Sequence, residues 1–238
     1  MVVLCLEKLS MRRIFYFVFL LLLSSTIANA TNYPSERIKR YAIHTPRKVE
    51  NDVATLTRYL TEPLDDDYDK AKIIAFWIAS HINYDEYLYS NGKTSKLIRK
   101  YHGQTPQQLL KSRVGICGDF AELFNEMCKK AGIQSEEVHG YAYPKKMRLT
   151  NRQKRANFGH AWNYFNYRGK KIYVDTTFMA GGVTGTKGGS HDFAHNQALR
   201  KIKSDNRRRS KVNNFDERYF DFTYKDEERM GYKREERP

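Results

Sequence analysis

Two alternating segments restrict the fold more than any other feature of the chain. They are His160-Ala161-Trp162-Asn163-Tyr164-Phe165-Asn166-Tyr167 and Lys170-Lys171-Ile172-Tyr173-Val174-Asp175-Thr176-Thr177, and they flank Arg168-Gly169. Period-two runs rich in aromatic and β-branched residues, separated by a glycine-containing turn, predict an antiparallel β-hairpin. A two- or four-residue connection centred on Arg168-Gly169 sets Trp162 opposite Asp175 and His160 opposite Thr177. His160 and Asp175 then share a face as diagonal neighbours with Cβ atoms roughly 7 Å apart, within reach of an imidazole–carboxylate hydrogen bond. A three-residue loop would shift the register and separate them.

Upstream the pattern turns helical. In residues 117–131, Phe120, Ala121, Leu123, Phe124, Met127, Cys128 and Ala131 fall on one face. Gly115 breaks the chain before this helix and Gly132 ends it as a C′ residue. A longer helix is expected after Asp65-Asp66-Asp67, whose carboxylates cap free N–H groups and complement the dipole. Its buried stripe is Ile73, Ile74, Trp77, Ile78 and Ile82, and it should end near Asn83-Tyr84. Thr105-Pro106-Gln107-Gln108 reads as a capping box with proline at the first helical position, opening a short helix that carries Leu109 and Leu110. Residues 31–52 read as an irregular lead-in, and Val53–Thr61 as a short helix before Pro63. Helices followed by a hairpin predict an α+β domain. The 238 residues, 40% hydrophobic and 13% aromatic, are enough for one core with appendages and exclude disorder along the whole chain. Only 14 Gly and 6 Pro, with no heptad or long period, exclude collagen, coiled coil and solenoid.

Residues 1–30 are laid out as a secretory signal. A basic Met11-Arg12-Arg13 precedes an apolar run at 14–23 and a small-x-small end, Ala28-Asn29-Ala30. The run is too short for a helix to span ~30 Å of hydrocarbon, so cleavage after Ala30 and a secreted or periplasmic chain without a stable membrane span are expected. Export favours paired cysteines, yet Cys117 and Cys128 lie in one helix, roughly 16 Å apart at ~1.5 Å per residue, beyond the ~7 Å Cα limit for a disulfide. Both should be free thiols. Cys128, late on the apolar face, reads as a small core residue. Cys117 sits in the first turn, where free N–H groups and the positive end of the helix dipole stabilise an anion. A nucleophile there needs a base. His160 is the candidate, with Asp175 holding its ring in one tautomer and the other ring nitrogen facing the thiol.

Three local contexts carry these residues: Gly115-Ile116-Cys117-Gly118-Asp119-Phe120-Ala121, Gly159-His160-Ala161-Trp162-Asn163 and Tyr173-Val174-Asp175-Thr176-Thr177-Phe178. Together they resemble the core of the transglutaminase-like superfamily. The segment 71–87, including Trp77-Ile78 and Ile82-Asn83-Tyr84-Asp85, is similar to the helix before the core in the kyphoscoliosis-peptidase-like branch. The resemblance covers about residues 65–180. It implies a papain-like, transglutaminase-core fold with the nucleophile helix packed on a small antiparallel sheet. It also implies Cys117 as nucleophile, His160 as general base and later acid, Asp175 as orienting group, and a thioester acyl-enzyme. One oxyanion donor should be the Cys117 backbone N–H. The glutamine that papain-like enzymes carry six residues before the nucleophile is unmatched, since Lys111 stands there; Gln104, Gln107, Gln108 and Tyr84 are the candidate second donors. Trp162 should pack beneath the histidine.

The resulting organisation is a signal at 1–30, a lead-in at 31–64, a catalytic core at 65–180, and a Gly-rich loop with a basic extension, partly docked, at 181–238. His191 and His195 have the i, i+4 spacing of a zinc-binding helix, but no HExxH and no third ligand accompany them, so no metal is assigned. The glycine-rich run 181–189 lacks the order of a phosphate loop and reads as a flexible loop beside the site; no cofactor is expected. Aromatic residues from Phe215 to Tyr224 are expected to dock as a closing strand and the last ten residues to be loose. The formal charge of +15 concentrates at 145–155 and 200–211. An anionic envelope polymer, a lipid headgroup or an acidic protein is a more fitting partner for it than nucleic acid. The expected activity is that of an exported cysteine peptidase or amidase on protein or peptide. The alternatives are a glutamine transamidase with the same triad and a non-catalytic module that binds through its basic surface.

Overall fold

A computed structural model describes residues 35–84, 104–142, 159–180, 215–223, 225–226 and 232–234. The chain divides into two units, Met1–Tyr33 and Pro34–Pro238, and every described residue lies in the second. The signal-like segment 1–30, the run 181–189, His191, His195 and the basic segments 145–155 and 200–211 lie outside the described residues.

Three helices come first: α1 (Ser35–Ile43), α2 (Val53–Thr61) and α3 (Asp67–His81), with a 3-10 turn at Arg47–Val49. Acidic caps start both α2 and α3, Asp52 accepting from Thr55 N–H at 2.7 Å and, as expected for the second, Asp66 from Tyr68 N–H at 2.9 Å. The lead-in is not irregular throughout, because α1 buries Ile38, Ala42 and Ile43 against α3. A single turn's spacing between Ile38 and Ala42-Ile43 is too short a run to announce a helix by periodicity, and docking supplies the stabilisation that an isolated segment lacks. Helix α3 buries more than a stripe. Ala75, Phe76 and Ala79 are covered along with Ile73, Ile74, Trp77 and Ile78, because α1, α2, a later helix and the sheet pack around it. Among the described residues no helix is long and apolar enough to cross a membrane.

Strand β1 (Asn83–Tyr84) pairs in parallel with β2 (Val114–Gly115) across α4 (Pro106–Ser112). The expected capping box opens α4, with Gln108 N–H donating to Thr105 Oγ1 at 3.3 Å and Thr105 N–H to Gln108 Oε1 at 2.9 Å. Next comes α5 (Cys117–Lys130), closed by Gly132 at φ 79°, a left-handed conformation natural to glycine.

The main sheet comprises β3 (Ser135–Ala142), β4 (Gly159–Tyr167), β5 (Lys170–Val174), β6 (Phe220–Phe222) and β7 (Tyr232–Arg234), in the order β6-β5-β4-β3-β7 with neighbours antiparallel. The architecture is α+β, with α5 packed on β4 and β3. The hairpin has the expected register, Asn163 facing Val174 and Tyr167 facing Lys170. Arg168 and Gly169 take φ 49° and 75°, a two-residue turn whose twist matches the strands. The second strand, however, stops at Val174 and does not reach Thr177. Asp175 Oδ1 accepts the Phe178 N–H at 2.9 Å and caps a one-turn helix, α6 (Thr176–Met179); a short polar side chain here outcompetes the ladder.

The closing strand is β6, with Phe220 and Phe222 buried. The last ten residues are not uniformly loose, since Tyr232–Arg234 pair with Gly140, Tyr141 and Ala142. The sheet curls strongly. Phe222 and Tyr232, on strands that a flat sheet would hold ~19 Å apart, stack with ring centroids at 5.3 Å.

Candidate active site

The nucleophile candidate is held by the turn between β2 and α5. Ile116 takes extended backbone at the N-cap and donates its N–H to Asp119 Oδ2 at 2.9 Å, so Cys117 is the first helical residue and its N–H has no helical acceptor. Space at this turn is limited. A Cβ on Gly115 would stand 2.7 Å from Leu109 Cδ1 and 2.9 Å from Asp119 Oδ2. Behind the turn, Arg113 donates to Glu50 at 3.2 Å while lying over Trp77, and His81 stacks on that indole and faces the same carboxylate at 3.3 Å. The Arg113 carbonyl accepts Asn83 N–H at 2.9 Å, which ties β1 to the turn. Cys117 is half-buried and Cys128 buried; both are free thiols, at opposite ends of α5. Burial pushes the Cys128 thiol up, which keeps it protonated and inert.

His160, near the start of β4, reaches Asp175 with Nε2 2.6 Å from Oδ2. Asp175 is fully buried. As an ionised carboxylate only accepts, Nε2 carries the proton, and Nδ1 is left for the thiol. Cys117 lies close enough to the ring to favour its charged form as well. The three residues singled out from the sequence are therefore brought together. Burial is the largest influence on the His160 ring and disfavours its charge, but the Asp175 charge, the hydrogen bond to Asp175 and Cys117 outweigh it. The imidazole is raised from 6.5 to about 10.

Aromatic rings wall the imidazole. Trp162 stacks on it as expected, with centroids 5.8 Å apart and planes at 20°. Phe178 is closer, at 4.5 Å and 21°, and it also supplies the N–H that caps Asp175. Sequence reasoning missed three supports. Tyr232 donates its O–H to Asp175 Oδ2 at 2.7 Å. The Tyr219 carbonyl accepts Asp175 N–H at 2.9 Å. Asn163, fully buried, donates to the Ala121 carbonyl and to Asn125 Oδ1, both at 3.1 Å, clamping the histidine strand to the cysteine helix. Asn163 could have been flagged, as an amide at the centre of a strand that is apolar on both faces needs a partner. Tyr232 carries no local signal.

The four oxyanion candidates separate by geometry. Gln104 donates to the Val114 carbonyl at 3.0 Å and Gln107 to the Asn51 carbonyl at 2.6 Å, while Gln108 closes the capping box. Those glutamines brace the backbone. Tyr84 pairs with Gly115, two residues before Cys117, and its ring lies 6.4 Å from that of Phe120.

The sequence profile of the transglutaminase-like superfamily matches residues 54–176. The chain is 28% identical over 138 residues to kyphoscoliosis peptidase of Mus musculus and 30% identical over 115 residues to that of Homo sapiens. These stretches cover 58% and 48% of this chain but 20% and 16% of the relatives, so it spans a fifth or less of the curated relatives it matches. Among solved structures, a TGase is similar with TM-score 0.42 and 18% identity, over 74% of this chain and 40% of that one.

Proposed function

The chain belongs to the transglutaminase-like superfamily, whose members are usually cysteine peptidases or transglutaminases, and from that premise we propose that it is a cysteine enzyme acting on peptide or amide bonds. The observation that carries this reading is the contact of His160 Nε2 with Asp175 Oδ2 at 2.6 Å, in a ring whose other partner is Cys117 at the start of a helix.

The Cys117 thiolate attacks the carbonyl carbon of the substrate. Collapse of the tetrahedral adduct breaks the C–N bond, the leaving amine takes its proton from His160 Nδ1, and a thioester remains. Water then gives a proton to Nδ1 as its oxygen adds to the thioester carbonyl. Breaking the C–S bond releases the acid and restores the thiolate–imidazolium pair. Asp175 keeps Nε2 protonated throughout and stabilises the imidazolium. The adduct's oxyanion is assigned to the Cys117 N–H. A primary amine in place of water would crosslink; incorporation of a labelled amine into an acceptor protein distinguishes the two outcomes. Export is part of this reading, supported by the basic start, apolar run and small-x-small end within residues 1–30. The basic segments at 145–155 and 200–211 would favour acidic protein or anionic polymer surfaces.

The test is iodoacetamide alkylation of the purified chain from about pH 4 to 9, with the label located by mass spectrometry. Rapid labelling of Cys117 below neutral pH that collapses in His160→Ala is expected. Slow labelling with the profile of a free thiol, equal in both proteins, would overturn the reading.

A further inference from the structure

Asp175 is held from two sides by parts of the chain beyond the family match at 54–176. Its backbone N–H donates to the Tyr219 carbonyl at 2.9 Å, and its Oδ2 accepts the Tyr232 O–H at 2.7 Å. That oxygen is the one His160 Nε2 approaches at 2.6 Å, while Oδ1 is occupied by the Phe178 N–H at 2.9 Å. Both oxygens are thus pinned, and the carboxylate cannot turn about its own axis without breaking a bond. Tyr232 is itself fixed. It is 4% exposed, packs edge-on to Trp162 at 5.0 Å, stacks on Phe222 at 5.3 Å, and sits in β7, which pairs with β3.

We propose that Tyr232 is a positioning residue for the site, its phenol O–H fixing the carboxylate oxygen that accepts the hydrogen bond from His160 Nε2, so that a segment beyond the family match completes the catalytic apparatus. The inference rests on the reading of Cys117, His160 and Asp175 as a triad. Chemically, the phenol does two things. It orients Oδ2 toward the ring, and by sharing that oxygen it draws off electron density and tempers the carboxylate's pull on the Nε2 proton. A residue that merely packed the strand would do neither.

The variant Tyr232→Phe keeps the ring among Trp162, Phe178 and Phe222 and deletes only the hydroxyl. Two readouts on the full chain test it: the downfield proton NMR resonance expected for so short an imidazole–carboxylate hydrogen bond, and the rate of Cys117 alkylation at pH 6. In Tyr232→Phe the resonance should move further downfield and, because the untempered carboxylate then stabilises the imidazolium more strongly, the alkylation rate should rise. Incorporating 3-fluorotyrosine at position 232, which keeps the fold and donates more strongly, should move the resonance upfield. This second substitution decides the matter even if Tyr232→Phe does not fold. A resonance unmoved by either change, with alkylation at the wild-type rate, overturns the role of Tyr232 and leaves the triad intact. If instead wild-type Cys117 alkylates as an ordinary thiol indifferent to His160→Ala, the triad reading fails and this inference falls with it.

Discussion

An imidazole almost sealed from solvent, its side chain 8% exposed, makes folding depend on pH when its charge is favoured in the folded state. His160 is raised from 6.5 to about 10; burial opposes this, and Asp175, with help from Cys117, overcomes it. The folded state therefore binds the proton more tightly than the unfolded chain. That stabilisation is fully present below about pH 6.5 and is lost as pH rises through about 10. Urea unfolding midpoints measured between pH 6 and 10 should fall across this window, and His160→Ala should flatten the fall. A midpoint that rises with pH in the wild type would mean the ring is neutral when folded. The three candidate residues were legible because each sits in a local context that suggests its chemistry: a cysteine at a helix start, a histidine on one strand of a hairpin, and an aspartate at the end of the other. Tyr232 and the Tyr219 carbonyl were not, because both reach Asp175 through strand pairings and packing remote in sequence, and nothing in the residues around Tyr232 distinguishes it from a surface tyrosine.

At the scale of elements, the turn before α5 sets where the thiol stands. Adding a methyl at Gly115 would bring it to 2.7 Å from Leu109 Cδ1 and 2.9 Å from both Asp119 Cβ and Oδ2. Leu109 is fully buried and Asp119 is bonded to Ile116 N–H, so neither can yield without loss. Gly115→Ala should cost about 1–3 kcal/mol in urea unfolding, as overpacking usually does, and should slow Cys117 alkylation because the N-cap bond is displaced. Wild-type stability and alkylation in this variant would mean that the turn has slack. Gly115 read from the sequence as a chain breaker, yet its need is for space. The hairpin and the α4 capping box were readable because their determinants lie within a few residues. The end of β5 was not: alternation continues through Thr177, but the Asp175 side chain bonds Phe178 N–H and turns the strand into α6. That capping bond also holds Asp175 Oδ1, so the departure from the simple pattern falls at a candidate site residue.

For the whole molecule, the question is whether the segment after residue 214 belongs to the folded body or decorates it. The family match ends at residue 176, and by that measure the C-terminal part is an appendage. Its side chains argue otherwise. Phe215, Phe220, Phe222 and Tyr232 are 8%, 7%, 3% and 4% exposed. Phe215 lies 4.7 Å from Phe76 on α3, and Glu217 pairs with Lys39 of α1 at 2.8 Å. Burying an aromatic of this size contributes about 1.5–3 kcal/mol, so the four together supply about 6–12 kcal/mol, against a total of about 5–15 kcal/mol for a typical domain. The extended-chain reference makes the first figure an upper estimate, but deletion would also uncover Phe76 and Trp162, which are buried beneath these rings. A chain ending at residue 214 should therefore lack a cooperative melt by far-ultraviolet circular dichroism and be digested by a protease that spares the full chain. A shortened chain that melts within a few degrees of the full one would show that the aromatic cover is dispensable. If it also alkylated Cys117 at the full rate, Asp175 would need neither Tyr219 nor Tyr232, and the site would be complete within the family core.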